Sequence, residues 1–535
     1  MKLKKSIAAI VAVILCAATL CACGTSTPNP SSSQQGPSAS QQGPSASQPG
    51  PSSGEEVVYY MCTSWEESWW DPALYMSVSD ASLSPMIYEN LVALETDGSI
   101  MPQLAEKWEV SADGLTYTFN LRQGVQWHKG YGEFTSEDVK FTFERQTDPA
   151  VGSVNAGNLH VNNIESIDCP DKYTVVFNLK QPDVDLLYRF ALYYGIIVCK
   201  AHNDKNGVES INKDPIGTGP FVYDTGTLKM RTEAVRNREW WGDFTGNIDR
   251  VVSTLINDTN VTYSAFDNKE LTGIGLYDKD KIFEYEAKGA NTHSVPLMQL
   301  LYIGINMQLA PFDDPLVREA LFYAIDVDYY QENLFHGTES TVGSYLPPGS
   351  KYALAEYFKP TFNAEKSKEL LAQAGYPGGC NIRLVSANDS LGQPPAIMAL
   401  DMLGKAGFIV DFVNVDFGVF IGEVRNGTAQ AWVAYNTTGK IGDDTIIRYT
   451  SEYYPGNNWC GVMDAEYDEH VAAGVAATDQ DEKFEHFYAA QKRMIDLQVI
   501  FPVSTFSIGQ VQQDNVTGFK AYGDQASRLQ TVTIG

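Results

Sequence analysis

The sequence predicts an α/β protein, and three stretches carry that prediction. Residues 381–436 alternate strand and helix signals in a βαβαβ order. Leu115, Tyr117, Phe119 and Leu121 alternate with Thr116, Thr118 and Asn120, the period of a half-buried strand. Asp313-Asp314-Pro315 supplies an N-cap and an N1 proline, and Leu316, Val317, Ala320, Leu321 and Ala324 follow on one helical face.

Taken in order, the chain opens with Lys2, Lys4 and Lys5 before an apolar run from Ile7 to Leu20. That run is too short to span a bilayer, so residues 1–22 read as a signal peptide and not as a membrane anchor. It ends Leu20-Cys21-Ala22-Cys23-Gly24, which resembles the lipobox of bacterial lipoproteins and implies a lipidated Cys23. Residues 24–54 are almost wholly Gly, Ser, Thr, Pro, Gln, Asn and Ala, with QQGPSAS repeated. Such a composition cannot bury enough apolar surface to fold. The 23–54 segment is therefore expected to be a lipid-bearing disordered linker, spanning roughly 30 Å as a flexible coil.

A first strand is expected at 57–62, followed by Trp65, Trp69 and Trp70 among serines and glutamates. Ser64, Trp65 and Trp69 are nominated as part of a pocket wall. Residues 140–143 and 175–179 show further short alternations, so 76–190 reads as sheet-rich. A second helix is expected at 363–374, stopped by Gly375. In the βαβαβ run the strands are 381–386, 408–415 and 430–435, with helices at 395–406 and 419–424. Such units build a parallel sheet, and ligands bind beyond the carboxyl ends of its strands. That rule nominates Ser386, Asn388, Asp416, Tyr435, Asn436 and Thr437. Trp459, after Asn457-Asn458 in a glycine-rich stretch, is a further candidate for a cleft.

Composition restricts the function. The 535 residues hold 66 Asp and Glu against 38 Lys and Arg, a formal charge of -28. No basic stripe exists to displace counterions from phosphates, so nucleic-acid binding is not expected. Beyond Cys23, the widely spaced Cys62, Cys169, Cys199, Cys380 and Cys460 write neither a disulfide framework nor a metal site. There is no Gly-x-Ser-x-Gly, no His-Glu-x-x-His and no phosphate-cradling Gly-x-x-x-x-Gly-Lys-Ser/Thr. Gly273-Ile274-Gly275 lacks the third glycine of a dinucleotide loop, and the seven histidines contain no i, i+4 pair. No enzyme activity, cofactor or metal is expected.

Three segments then carry a resemblance. PQLAEKWEVSADGLTYTFNLRQGVQWHKGYGEFTSEDVKFTFER, residues 102–145, resembles the signature region of the family 5 solute-binding proteins of the dipeptide, oligopeptide and nickel ABC importers. Residues 216–249, with a Gly-Thr-Gly-Pro turn and an Asn-x-x-Trp-Trp-Gly run, and residues 312–377, opening FDDPLVREALFYAIDVDYY, resemble the same family in the same order. The resemblance implies a two-lobed periplasmic-binding-protein fold of class II, of the large type with an extra subdomain. Mixed sheets flanked by helices and two crossing strands at the hinge belong to it. Transferred here, lobe I is 55–75, 191–295 and 507–535, its extra subdomain is 76–190, and lobe II is 296–506.

It also implies a function: capture of a small solute between closing lobes and delivery to an ABC permease with its ATPases. The chain would be a monomer anchored by lipid to the outer face of the bacterial membrane. Peptide binders of the family carry an Asp soon after a Trp-containing strand, where it pairs with the peptide's amine. Here that stretch reads AWVAYNTTGKIGDD, so the expected position holds Thr438 or Gly439, and Asp443 and Asp444 are the carboxylates that could replace it. A short peptide is the favoured ligand. An oligosaccharide, a metal chelate, or a sensor role without transport stay open.

Overall fold

The computed structural model describes residues 55–63, 69–75, 82–95, 98–389, 391–522 and 528–535. The signal segment, the linker with Cys23, and Ser64 and Trp65 lie outside the described residues. Strand β1 (Val58–Thr63) is followed by a small pair, β2 (Val92–Leu94) and β3 (Ile100–Pro102). A four-stranded antiparallel sheet then uses β4 (Ala105–Val110), β5 (Thr116–Leu121), β6 (Ile164–Asp171) and β7 (Thr174–Leu179) in the order β4-β5-β7-β6. In β5 the buried residues are Tyr117, Phe119 and Leu121, as the alternation requires.

The remaining long strands are β8 (Phe221–Thr227), β9 (Arg231–Arg236), β10 (Arg250–Leu255), β11 (Gly273–Leu276), β12 (Asn291–Ile305), β13 (Cys380–Ala387), β14 (Phe408–Val415), β15 (Ala431–Thr437) and β16 (Ile500–Gln512). With β1 they form one ten-stranded sheet in the order β14-β13-β15-β12-β16-β11-β1-β10-β9-β8. A last short pair is β17 (Val516–Thr517) with β18 (Thr533–Ile534).

The two longest strands, β12 and β16, run antiparallel through the middle of the large sheet and serve both lobes. Their far halves pair Asn291–Pro296 with Gln512–Ser507, on the side where β11 joins β16. Their near halves pair residues 300–304 with 505–500, on the side where β15 joins β12. Between the halves the register slips, from Pro296 opposite Ser507 to Leu300 opposite Thr505. A proline without an N–H sits at that break, so the ladder is weakest where the lobes would bend.

In the second lobe, successive residues of β12 feed two cores. Leu301 and Ile303 pack with the helices Pro315–Ala324 and Gln393–Lys405, while Leu300 and Tyr302 pack with helices Ala465–Ala476 and Gln480–Asp496. A sheet covered by helices on both faces needs apolar residues at every position, and β15 is buried at Ala431–Ala434. The first lobe gathers Tyr59, Trp70, Phe221, Val251, Leu529 and Val532 into its own core. The four-stranded sheet has a separate core with Phe119, Phe143, Phe177 and Phe190 at its centre.

The helix expected after Asp314 spans Pro315–Ala324, with Asp314 accepting from the Leu316 N–H. The βαβαβ run is present with β13 parallel to both β14 and β15. One short alternation was misleading: residues 140–143 lie in the helix Ser136–Glu144 and not in a strand. Its start is fixed by a capping box between Thr135 and Asp138, and Val139, Thr142 and Phe143 form its buried face. Four residues are too few to separate a period of 2 from one of 3.6. The five described cysteines are free thiols. Among the described residues no helix is long and apolar enough to cross a membrane.

Candidate functional site

Two cavities flank the crossing strands, on opposite faces of β16. Phe506, Ile508 and Gln510 line the first, of about 640 Å³. Thr505 and Ser507 line the second, of about 540 Å³. Both fall in the size range of small-molecule sites. Each takes residues from both lobes, and they share Ala521 and Tyr522.

The first cavity sits where parallel strands end. Thr63 of β1, Ile256 after β10 and Leu276 of β11 come from one lobe; Leu391, after β13, and Tyr435 of β15 come from the other. Its walls are aromatic. Tyr277 stacks on Phe506 with ring centroids 5.4 Å apart, and Tyr435 meets the same ring at 4.7 Å. Burial pushes the Tyr435 hydroxyl far above its ordinary range, so it stays a neutral donor.

Strand β11 also offers backbone. It pairs with β16 at all four residues, Gly273–Leu276, but with β1 only at Gly273 opposite Met61. Among the described residues, Ile274 to Leu276 therefore have no strand on their other side, and Ile274–Tyr277 line the cavity. The glycine pair set aside as half a nucleotide loop is thus part of a strand edge. Gly273 is required there because a Cβ would strike the Tyr59 hydroxyl and Gln512, which hydrogen-bond at 2.5 Å.

The second cavity is charged. Lys440, in the loop after β15, and Arg528, packed over the Tyr522 ring at 4.2 Å, line it from opposite lobes. Glu339 also lines it, with 3% of its side chain accessible, but its Oε1 takes the Lys279 ammonium at 2.7 Å and the Ser507 N–H at 2.9 Å. A charged pair so buried persists because it is this fully hydrogen-bonded.

The nominated residues divide. Tyr435 faces the first cavity. Asn436, the next residue of the strand, points the other way; it is 6% accessible and accepts from Arg448 at 3.2 Å. Thr437 is exposed and accepts from Gln299, Asn388 is exposed beyond β13, and Asp416 caps the helix Phe417–Arg425. Ser386 is fully buried in β13. Trp69 packs on the first lobe's core and Trp459 on the second-lobe core that holds Tyr302, Tyr467 and Phe487, and neither lines either cavity.

Asp443 is engaged elsewhere: Arg189 Nη2 donates to it at 2.7 Å. Asp444 keeps half its side chain accessible beside Arg448, at 3.5 Å. Its carboxyl is nevertheless raised by the loss of hydration around it, against the pull of Arg448. Neither carboxylate lines a cavity. Lys440 and Arg528 were not nominated because a cavity wall shared by residues 88 positions apart leaves no local pattern.

A buried charge network ties the helix Leu186–Ala191 to the second lobe. Asp185 takes Lys351 at 2.7 Å, Lys483 at 2.8 Å and the Tyr352 hydroxyl at 3.1 Å. Burial pushes Asp185 up, but the two ammonium charges outweigh it and hold the carboxyl low. Arg189 bridges Asp183, at 3.1 Å, to Asp443.

Comparison with known proteins fits this geometry. Residues 99–458, more than half of the chain, match the family described as bacterial extracellular solute-binding proteins, family 5 Middle. A dipeptide-binding protein of Pseudomonas aeruginosa is 27% identical over 492 residues, covering 86% of this chain and 91% of that protein. The periplasmic binding protein DppA of Helicobacter pylori, solved with the peptide STSA, has a TM-score of 0.74 at 25% identity, covering 89% of this chain and 98% of that one. AgaA of A. tumefaciens, solved with agropinic acid, has a TM-score of 0.70 at 26% identity, covering 89% and 99%. Two lobes joined by crossing strands, a cavity walled by both and a match across the middle of the chain lead to one conclusion: the protein belongs to the family 5 bacterial extracellular solute-binding proteins.

Proposed function

We propose that this chain is the solute-capturing subunit of an ABC importer, tethered outside the cell through a lipid on Cys23, and that its solute is a short peptide held between the lobes. One observation carries the reading: the first cavity is walled by both lobes across the crossing strands, with a strand edge along one wall that no described strand covers. An extended peptide laid against Ile274–Leu276 would gain the main-chain hydrogen bonds that no described strand makes with β11 on that side, and its side chains would meet Tyr277, Phe506 and Tyr435. A ligand that touches both lobes favours the closed state by its differential affinity, and the closed shape is what a permease can read. The named ligands of the DppA and dipeptide-binding relatives support a peptide. The AgaA neighbour supports a second class, a small organic acid.

Thermal-shift screening of the full chain tests this. A bound solute at one hundred times its dissociation constant adds about 2.7 kcal/mol of stability. Pools of di- to tetrapeptides should raise the melting temperature, and neutral oligosaccharides and metal chelates should not; a shift confined to sugars ends the peptide reading. Cys23→Ser should release the protein from the membrane fraction, and retention there would end the lipid-anchor reading.

A further inference from the structure

The seven histidines contain no i, i+4 pair, yet the fold brings two of them together from different helices. His470 lies in the helix Ala465–Ala476 and His486 in the helix Gln480–Asp496, and their Nδ1 atoms stand 3.4 Å apart. These consecutive helices pack side by side, with Gly474 against Phe487 and Asp464 against Arg493, so they run antiparallel. A Cβ at position 474 would lie 2.5 Å from the Phe487 ring, so the glycine permits this close approach. Beneath the two imidazoles, Tyr467, Val471, Ala490 and Met494 are buried in the second lobe, which fixes both backbones. The histidines themselves are half-buried and line neither cavity.

The separation of the two nitrogens is informative. Ordinary hydrogen bonds from N–H groups span about 2.7–3.2 Å, and this pair is longer. Two nitrogens that share one tetrahedral zinc ion, each about 2.0–2.1 Å from it, lie roughly 3.3–3.4 Å apart. A square-planar ion would draw them to roughly 2.9 Å, so the spacing suits the tetrahedral geometry better. Neutral imidazole is also the commonest metal ligand among side chains. The surroundings favour a cation. Glu466 and Glu482 lie one turn before the two histidines, Glu469 and Glu485 directly precede them, and all four are exposed. Of the nearby bases, Lys483 is turned into the buried pair with Asp185, and Arg493 is bound to Asp464 and Glu466. Among the described residues no third His, Cys, Asp or Glu completes a ready-made set around the pair.

We propose that His470 and His486 form a bidentate site for a divalent transition-metal cation of the zinc class, separate from both cavities, with water at the remaining coordination positions. The ligands come from two helices, so the ion would clamp one to the other. Because the pair exists only when both helices are packed, the binding free energy appears as added stability of the fold. The site does not depend on what the lobes capture, and its failure would leave the peptide reading untouched.

The test uses the full chain without an affinity tag, at about pH 7.5, where imidazoles are available as ligands. Zinc chloride, with no peptide or amino acid present, is followed by calorimetric titration and thermal shift. One zinc per chain should bind and raise the melting temperature, whereas magnesium, which takes oxygen ligands, should not. His470→Gln and His486→Gln should each weaken zinc binding at least about tenfold. The double variant should be scarcely weaker than either, because one imidazole alone makes no chelate. All three should keep the parent's zinc-free melting temperature. Should a variant melt lower, footprinting of the parent with diethyl pyrocarbonate decides: zinc should protect His470 and His486 while the accessible His160 and His336 stay reactive. Zinc binding of parental strength in the double variant would place the ion elsewhere and overturn the proposal. So would equal protection of all four histidines, an equal response to magnesium, or no zinc uptake by the parent.

Discussion

Glu89 is a side chain whose proton the fold controls directly. It is 3% accessible and takes hydrogen bonds from Trp241 Nε1 at 2.8 Å, Thr218 at 2.8 Å and Trp240 Nε1 at 3.3 Å. Thr218 belongs to the Gly-Thr-Gly-Pro turn and the two tryptophans to the Trp-Trp-Gly run, so one buried carboxyl ties together two of the motifs that carry the family resemblance. Burial pushes that carboxyl up to about 7, against the opposing pull of these three donors. Between the ordinary glutamate value and 7 the unfolded chain is ionised and the folded chain is not, so stability is lost as pH rises through that window. His128, also buried and pushed down to about 4, contributes the opposite slope below 6.5, which flattens the parent curve. The Glu89→Gln variant isolates the effect. Relative to the parent, its stability should rise by up to roughly 3 kcal/mol between pH 4.5 and 7.5. Urea titrations of both proteins across that range check this, and two parallel curves would sink it.

At the level of elements, Gly273 and Gly275 of β11 make a sharp contrast within four residues. An added Cβ at Gly273 would break into the Tyr59–Gln512 hydrogen bond, whereas one at Gly275 would meet the flexible tip of Ile508 at 3.1 Å. Overpacking of the first kind costs roughly 1–3 kcal/mol. Gly273→Ala should therefore lose that much in urea unfolding and Gly275→Ala less than 1 kcal/mol; equal losses would mean that the strand can shift sideways to make room. The contrast also marks what a sequence can convey. The helix after Asp314, its proline and its apolar stripe are local signals, and the βαβαβ run is legible because each strand is a short apolar block bounded by a helix cap or a turn. The crossing strands β12 and β16 pair across some two hundred residues, and nothing local in His293-Ser294 or Gln510-Val511-Gln512 announces that partner. Of the nominated site, Tyr435 was legible because strand ends face crevices. Asn436 was nominated by the same rule and faces the other side, because successive residues of a strand alternate.

The capture proposed above calls for lobes that open and close, and buried charge is concentrated where the helix Leu186–Ala191 meets the second lobe. Asp183, Asp185 and Asp443 meet Arg189, Lys351 and Lys483 with side chains at most 9% accessible. Three acids against three bases make the network neutral, yet all six charges have lost most of their water. Such a network gains little net stability over the hydrated ions, so under the proposed capture it can hold the lobes in register without locking them shut. Removing one member changes that balance. In Asp185→Asn, Lys351 and Lys483 stay buried with no anion, a situation worth about 3–5 kcal/mol that opening the joint relieves by rehydrating both. The variant should populate the open form: its radius of gyration in solution scattering should exceed the parent's without ligand, and ligand should bring the two values together. Affinity should fall by the fraction of closed-competent molecules lost, at least tenfold, since ligand must now drive closure against the unpaired lysines. Lys483→Met made in the same chain removes one of the stranded charges and should restore part of the affinity. If single and double variants match the parent in both scattering and affinity, the helix Leu186–Ala191 does not move with the joint, and closure proceeds about β12 and β16 without breaking these ion pairs.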